Sequence, residues 1–198
     1  MRCLNEFIAR KANLEDDCKG RFWEGRFKSQ ALLDEQALLT CMAYVELNPI
    51  RAKIATMPET SEFTSIKQRI ENQNGNLDAD PNQQEVTGSR QPALKALIAD
   101  NEILTDQIPY SLNEYLYLVD WSGRAVRQDK RGAIELQLPP ILARLGIDAE
   151  YWCEAMQPKG SRHLSRAVGC PNHLRAYARK LEIGWIKGIG LCTKLFPA

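Results

Sequence analysis

The sequence lacks any long apolar run. No stretch approaches the about 20 apolar residues that a membrane-spanning helix needs. Charged residues interrupt the opening residues, MRCLNEFIARK, every few positions, so no secretory signal is indicated there. We therefore expect a cytoplasmic protein with no membrane partner and with reduced cysteines.

Histidine is scarce, and the cysteine spacings typical of zinc modules are absent. The only histidines are His163 and His173, and no two of the six cysteines have C-x-x-C spacing. Neither histidine is paired with a cysteine at the spacing of a zinc finger. The sequence therefore predicts no zinc module, and both histidines are expected to be surface or capping residues.

Net charge is close to zero, but the charge is unevenly distributed. The chain carries 26 basic and 25 acidic residues, which gives +1. Residues 158–198 hold eight basic groups and one acid, which gives +7, and residues 1–56 hold nine and eight, which gives +1. The middle therefore carries 1 − 7 − 1 = −7. A cationic C-terminal part favours a polyanion partner, most simply nucleic acid, although a solvated helix surface explains it equally well.

Apolar spacing indicates helices in the first part of the chain, with little strand. An amphipathic helix over residues 1–12 has no capping residue before it, so we expect it to be internal to a longer domain. Residues 27–33 predict a short strand, and Asp34 is expected to cap a helix over 35–47. The predicted buried stripe of that helix consists of Leu38, Leu39, Met42, Val45 and Leu47.

Further helices are predicted at 61–70, 92–100 and 111–127, and within 138–148. Residues 173–196 alternate basic and apolar positions and are broken by Gly184, Gly188 and Gly190. Ser111 and Glu114 have capping-box spacing, and Gly146 is expected to end the helix that begins near the prolines at 139 and 140. Residues 71–91 are polar and rich in Asn and Gln, which is typical of a linker. The fold is therefore predicted to be mainly α, with domains at 1–70 and 92–198.

The segment CMAYVELNPIRA holds the most informative polar pair. Tyr44 and Asn48 are four residues apart, so on a helix their Cβ atoms would lie about 5–6 Å from each other. Arg51 follows directly after Pro49. A phenol, an amide oxygen and a cation at one helix end suit a phosphate and a metal ion. The alternative is a tyrosine at the edge of the core and an asparagine that ends the helix.

A longer string favours the first alternative. Residues 20–54, GRFWEGRFKSQALLDEQALLTCMAYVELNPIRAKI, closely resemble the C-terminal part of the catalytic domain of single-tyrosine transposases. These are insertion-sequence enzymes of the HUH superfamily and include the REP-associated tyrosine transposases. The segments VDWSGRAVRQDKRGAI and LPPILARLGID are similar to the C-terminal extension of a longer subgroup. The resemblance implies that residues 1–70 are a remnant of an α+β ferredoxin-like domain.

The resemblance also implies a chemistry, which is DNA transposition by cleavage and rejoining of single-stranded DNA. Tyr44 would be the nucleophile that forms a 5′-phosphotyrosine, and Asn48 would be a ligand of Mg²⁺ or Mn²⁺. The family holds this ion with a His-hydrophobic-His motif upstream of the tyrosine, and the chain has none there. We therefore expect a catalytically incomplete piece that binds DNA, preferably single-stranded or hairpin, and that does not bind the ion by itself.

Basic and aromatic residues supply the candidate DNA contacts, because cations suit phosphates and rings suit unstacked bases. The predicted DNA-binding residues are Arg21, Trp23, Arg26, Lys28, Arg51, Arg124, Arg127, Lys130 and Arg131. Trp23 could instead anchor the core, and the basic run at 124–131 could be a solvated helix end. Two rival interpretations remain open: a non-enzymatic helical DNA-binding or interaction module, and a decayed remnant without a function.

Overall fold

The computed structural model describes residues 2–26, 28–78, 94–98, 107–126, 139–157 and 166–197. These residues are mainly helical, which confirms the prediction of a mainly α fold. They group into two compact units, Met1–Gln30 and Ala31–Ala198, hereafter unit 1 and unit 2. No described helix has the length and apolar character required to cross a bilayer.

Unit 1 consists of one helix and the loop that follows it. Helix α1 spans Arg2–Glu15, in agreement with the amphipathic pattern of the first residues. The loop is attached to the helix by two hydrogen bonds: Trp23 Nε1 donates to the Asn5 carbonyl at 2.9 Å, and Asn13 Nδ2 donates to the Gly20 carbonyl at 3.0 Å. Local contacts therefore hold this loop against its own helix.

The first part of unit 2 contains β1 (Ala31–Leu32), α2 (Glu35–Glu46), α3 (Asn48–Arg51), a 3₁₀ turn (Pro58–Thr60) and α4 (Ser65–Asp78). Asp34 caps α2 as predicted, because its carboxylate accepts the Ala37 N–H at 2.9 Å. The sequence predicts a strand over residues 27–33, and among the described residues of that segment only β1 is a strand. Helix α4 extends eight residues beyond the predicted end at residue 70, into the segment predicted as a linker.

The second part contains the strands β2 (Leu97–Ile98), β3 (Ile108–Ser111) and β4 (Ala167–Val168). Its helices are α5 (Leu112–Val126), α6 (Pro140–Arg144), α7 (Ala149–Met156), α8 (Pro171–Lys180) and α9 (Ile189–Leu195). The predicted cap of α5 is present, since Glu114 N–H donates to Ser111 Oγ at 3.2 Å. Gly146 follows α6 with φ +61°, which is the left-handed conformation expected after a helix end.

Two predicted features are wrong within the described residues. The helix predicted at 92–100 is replaced at residues 97–98 by β2, which pairs with β3. Val45, predicted to be buried, is 53% exposed, whereas Glu46 is buried. Glu46 turns inward because it accepts hydrogen bonds from Ser65 Oγ and from the Ile66 N–H at the start of α4. A tertiary capping interaction therefore rotates the buried face of α2 away from the purely apolar stripe.

The strands form two short parallel pairs. In the first, Ala31 is opposite Ala167 and Leu32 is opposite Val168, with backbone hydrogen bonds from Ala31 N–H to Arg166 and from Leu33 N–H to Val168. In the second, β2 pairs with β3. The β1–β4 pair brings the start of α2 next to the start of α8.

One hydrophobic core joins residues on both sides of the predicted linker. Its buried members include Leu39, Leu47 and Ile66 from the first part, and Leu118 and Trp152 from the second. A Cβ atom added at Gly123 of α5 would lie 3.4 Å from the side chains of Leu47 and Ile50, so α5 and the α2–α3 junction approach closely. The boundary between the two units at residue 30 therefore differs from the predicted domain boundary at 71–91.

Candidate functional site

The α2–α3 junction brings together Tyr44, Asn48 and Arg51. Helix α2 ends at Glu46, and α3 begins at Asn48 with Pro49 in its first turn. Proline suits that position because it needs no backbone donor there. The break is short, so Asn48 and Arg51 remain on the side of the junction where Tyr44 lies. The predicted proximity of these three side chains is present in the structure.

Arg51 is the centre of this cluster. Its guanidinium carbon lies 3.5 Å from the centroid of the Tyr44 ring, which is a cation–π contact. Its Nη2 donates to the Tyr44 carbonyl at 2.6 Å and to the side-chain oxygen of Asn48. Its Nη1 donates to the Met156 carbonyl at 3.0 Å. Arg51 therefore connects the α2–α3 junction to the C-terminal end of α7.

The cluster is partly open to solvent. Asn48 is exposed, whereas Tyr44 and Arg51 are half-buried and the Tyr44 ring packs against the core. Burial lowers the pKa of Arg51, with the nearby Tyr44 acting in the opposite direction. A guanidinium nevertheless remains protonated at neutral pH. The site thus presents a fixed positive charge beside an aromatic ring and an exposed amide.

The residues around Asn48 do not fit a Mg²⁺ or Mn²⁺ site. Its side-chain oxygen already accepts a hydrogen bond from Arg51, so a divalent cation there would face the guanidinium charge. Such ions prefer several oxygen ligands, usually carboxylates. Among the residues described, the one convergent group of three His, Cys, Asp or Glu side chains lies elsewhere, at Asp34, Cys170 and His173.

The other predicted DNA contacts fall into three groups. Arg21, Trp23, Arg26 and Lys28 are exposed in the loop of unit 1. The Trp23 ring is 42% exposed and makes an edge-on contact with Phe22 at 4.8 Å between centroids. Arg124, at the end of α5, is half-buried and forms an ion pair with Asp120 at 2.5 Å. Arg127, Lys130 and Arg131 lie outside the described residues, as does His163.

Sequence reasoning missed the group formed by Asp34, Cys170 and His173. Asp34 Oδ2 accepts the Cys170 N–H at 2.6 Å and lies 2.8 Å from His173 Nδ1. The available signal was the spacing Cys170-x-x-His173 at the start of α8, which places a thiol and an imidazole one turn apart. The aspartate could not be found from the sequence because it precedes them by more than 130 residues.

No protein-family model, curated protein or solved structure matches this chain.

Proposed function

We propose that this chain binds single-stranded or hairpin DNA, as the C-terminal part of a single-tyrosine transposase that is incomplete for strand cleavage. On this proposal, residues 1–70 are the remnant of a ferredoxin-like catalytic domain. The observation that carries the proposal is the cluster of Tyr44, Asn48 and Arg51. A ring, an amide and a cation in contact at a partly open surface suit a sugar–phosphate backbone.

Arg51 is suited to a phosphate because a guanidinium has five N–H donors arranged in a rigid plane. One of its acceptors is the exposed amide of Asn48, which a phosphate oxygen could replace with a small side-chain rotation. Its carbonyl partners on Tyr44 and Met156 would keep the guanidinium in place during that exchange. Arg51 would therefore hold a phosphate next to the Tyr44 ring.

Binding is proposed rather than cleavage because the sequence has no His-hydrophobic-His motif upstream of Tyr44 to hold a metal ion. A phenol with a pKa of about 10 is a weak nucleophile at neutral pH and needs a base or a metal ion. Arg51 contacts Tyr44 through the ring and the backbone carbonyl, and neither contact removes the phenol proton. We therefore expect no covalent protein–DNA product from this chain.

The loop of unit 1 supports the same proposal independently. Arg21, Arg26 and Lys28 are exposed there together with Trp23, whose indole N–H is bonded to α1 while part of its ring remains accessible. Exposed rings can stack on unpaired bases, and nearby cations can contact phosphates. A fixed indole would lose little conformational freedom on binding.

A gel-shift titration with a labelled single-stranded hairpin tests the proposal. We expect binding at low salt that weakens steeply as salt rises, because counterions are released from the phosphates. Trp23→Ala and Arg51→Gln should each weaken binding about tenfold, which corresponds to about 1.4 kcal/mol. The matched control is Arg10→Gln, an exposed arginine of α1 paired with Glu6. Binding that is insensitive to salt and to both substitutions would overturn the proposal.

Denaturing electrophoresis of the same mixtures separates binding from cleavage. Wild-type protein and Tyr44→Phe should both release intact DNA, with and without added Mg²⁺ or Mn²⁺. A labelled covalent adduct that disappears in Tyr44→Phe would show that the chain is a complete enzyme.

A second candidate is a non-enzymatic interaction module. It is favoured by apolar side chains of α1 that are exposed: Leu4, Phe7 and Leu14 are exposed by 53%, 66% and 83%. Such side chains commonly mark a binding surface. A chain that fails to shift DNA at low salt would favour this alternative.

A further inference from the structure

We propose that Asp34, Cys170 and His173 form a binding site for a thiophilic divalent cation, best satisfied by Zn²⁺. The three side chains place a carboxylate oxygen, a thiol sulfur and an imidazole nitrogen within 4.8 Å of one another. This inference is independent of the proposed function, because none of the three residues belongs to the Tyr44 cluster or to the loop of unit 1.

The fold brings these ligands together from two distant segments. Asp34 lies between β1 and α2, whereas Cys170 and His173 flank the first turn of α8. The β1–β4 pairing places these two helix starts side by side. A spacing of three residues then puts the thiol and the imidazole on the same side of the helix start.

The carboxylate of Asp34 is held in a fixed orientation. Its side chain is only 7% exposed, and Oδ1 accepts the Ala37 N–H at 2.9 Å, so Oδ2 is the atom that faces Cys170 and His173. Gly169 packs directly against this oxygen, since a Cβ atom there would lie only 2.7 Å from Oδ2. Oδ2 accepts the Cys170 backbone N–H at 2.6 Å and lies 2.8 Å from His173 Nδ1, so Asp34 brings a thiol-bearing residue and an imidazole to the same oxygen.

The identity of the donor atoms selects the ion. Zn²⁺ binds Cys sulfur at about 2.3 Å and His nitrogen or carboxylate oxygen at about 2.0–2.2 Å, so its ligand atoms lie about 3.3–3.7 Å apart. The present separations, 4.8 Å or less, would have to change by about 1.5 Å at most, and the 2.8 Å contact between His173 Nδ1 and Asp34 Oδ2 would have to open. His173 can move because its side chain is 57% exposed. Mg²⁺ and Ca²⁺ prefer oxygen-only ligands and suit a thiol poorly.

Three protein ligands leave one coordination position for solvent. A cavity of about 380 Å³ borders the site and is lined in part by Cys170, Asn172 and Arg175. A water molecule could reach the fourth position from this cavity, which is the arrangement of an open zinc site. A bound ion would also connect the β1–α2 segment to the β4–α8 segment. Its binding should therefore stabilise unit 2 by mass action.

Cobalt and zinc titrations of the full chain, reduced and stripped of metal, test the site. We expect one Co²⁺ per chain, a thiolate-to-cobalt charge-transfer band, and loss of that band when Zn²⁺ is added. Cys170→Ser should abolish the band, and His173→Gln should weaken Co²⁺ binding by at least about tenfold. The matched control is Cys153→Ser, a half-buried thiol outside the site that should bind Co²⁺ as wild type does.

Thermal unfolding provides a readout that does not depend on the thiol band. Zn²⁺ should raise the Tm of the wild type and of Cys153→Ser but not that of His173→Gln, whose exposed ring can be replaced without disturbing the core. Absence of a charge-transfer band in the wild type, a band that persists in Cys170→Ser, or equal Tm increases with Zn²⁺ and Mg²⁺ would each overturn the proposal.

Discussion

The indole Nε1–H of Trp152 donates a 2.9 Å hydrogen bond to Ser122 Oγ inside unit 2. Ser122 Oγ in turn donates to the Leu118 carbonyl at 2.7 Å, so one hydroxyl links α5 and α7. All three residues are buried. This bond satisfies the only polar atom of the largest fully buried side chain among the described residues.

Ser122→Ala should therefore destabilise the protein by about 1–3 kcal/mol, because the indole N–H would remain buried without an acceptor. Urea unfolding followed by tryptophan fluorescence measures the change. Ser29→Ala, at an exposed position, is the control and should change the free energy of unfolding by less than about 0.5 kcal/mol. If Ser122→Ala lowers the free energy of unfolding no more than Ser29→Ala does, the assigned hydrogen bond is contradicted.

Tyr115→Phe and Tyr110→Phe should have opposite effects on stability. The Tyr115 hydroxyl is buried and has no hydrogen-bond partner among the described residues, so its removal should stabilise the fold by up to about 1 kcal/mol. The Tyr110 hydroxyl donates to the Glu35 carbonyl, so its removal should cost about 1 kcal/mol. The urea unfolding midpoints of the two variants measure these effects. Equal shifts of the two midpoints in the same direction would contradict the predicted opposite effects.

Stability should fall at alkaline pH. Burial raises the pKa of the Cys153 thiol from 9.0 to about 11, and burial also raises the pKa of Tyr115. These groups are neutral when protonated, so the folded state retains its protons at a pH where the unfolded chain has lost them. The contribution of Cys153 is fully present below pH 9 and is lost as the pH rises towards 11, and that of Tyr115 begins to be lost above pH 10.

Urea midpoints between pH 7 and pH 11 measure this loss. Cys153→Ser should flatten the decline between pH 9 and pH 11, because it removes one of the groups responsible. Cys18→Ser, which removes an exposed thiol, should leave the decline unchanged. A stability that is constant over this range would show that these groups do not remain protonated in the folded state.

Gly169→Ala should destabilise unit 2 by about 1–3 kcal/mol. The added methyl group would lie 2.7 Å from Asp34 Oδ2 and 2.9 Å from Leu33 Cβ, so either the carboxylate or the strand must move. Gly184→Ala is the matched control, because its Cβ would meet no atom within 4 Å. Thermal unfolding compares the two variants, and similar Tm values would contradict the close packing at Gly169.

Local signals predicted several helix ends correctly. Asp34 caps α2 and Ser111 caps α5 as their side chains indicated, and the glycine after α6 has the expected left-handed conformation. These features depend on residues only a few positions apart, where intrinsic preferences act directly. The proximity of Tyr44, Asn48 and Arg51 could be predicted for the same reason.

Features that depend on distant residues could not be predicted. Glu46 is buried because it accepts the Ile66 N–H at the start of α4, whereas Val45 is exposed. Residues 97–98 form a strand because β3 is available to pair with them, in spite of their helical spacing. The contact of Asp34 with His173 depends on the β1–β4 pairing, for which single-sequence periodicity gives no signal.

The pairing of Ala31 with Ala167 has a consequence for biosynthesis. An emerging polypeptide that ends before residue 167 cannot form this strand pair, however long its early helices have been outside the ribosome. Closure of so long a loop is slow in folding, because its entropy must be lost before the contact forms. Stalled nascent chains should therefore remain sensitive to protease until β4 has left the exit tunnel.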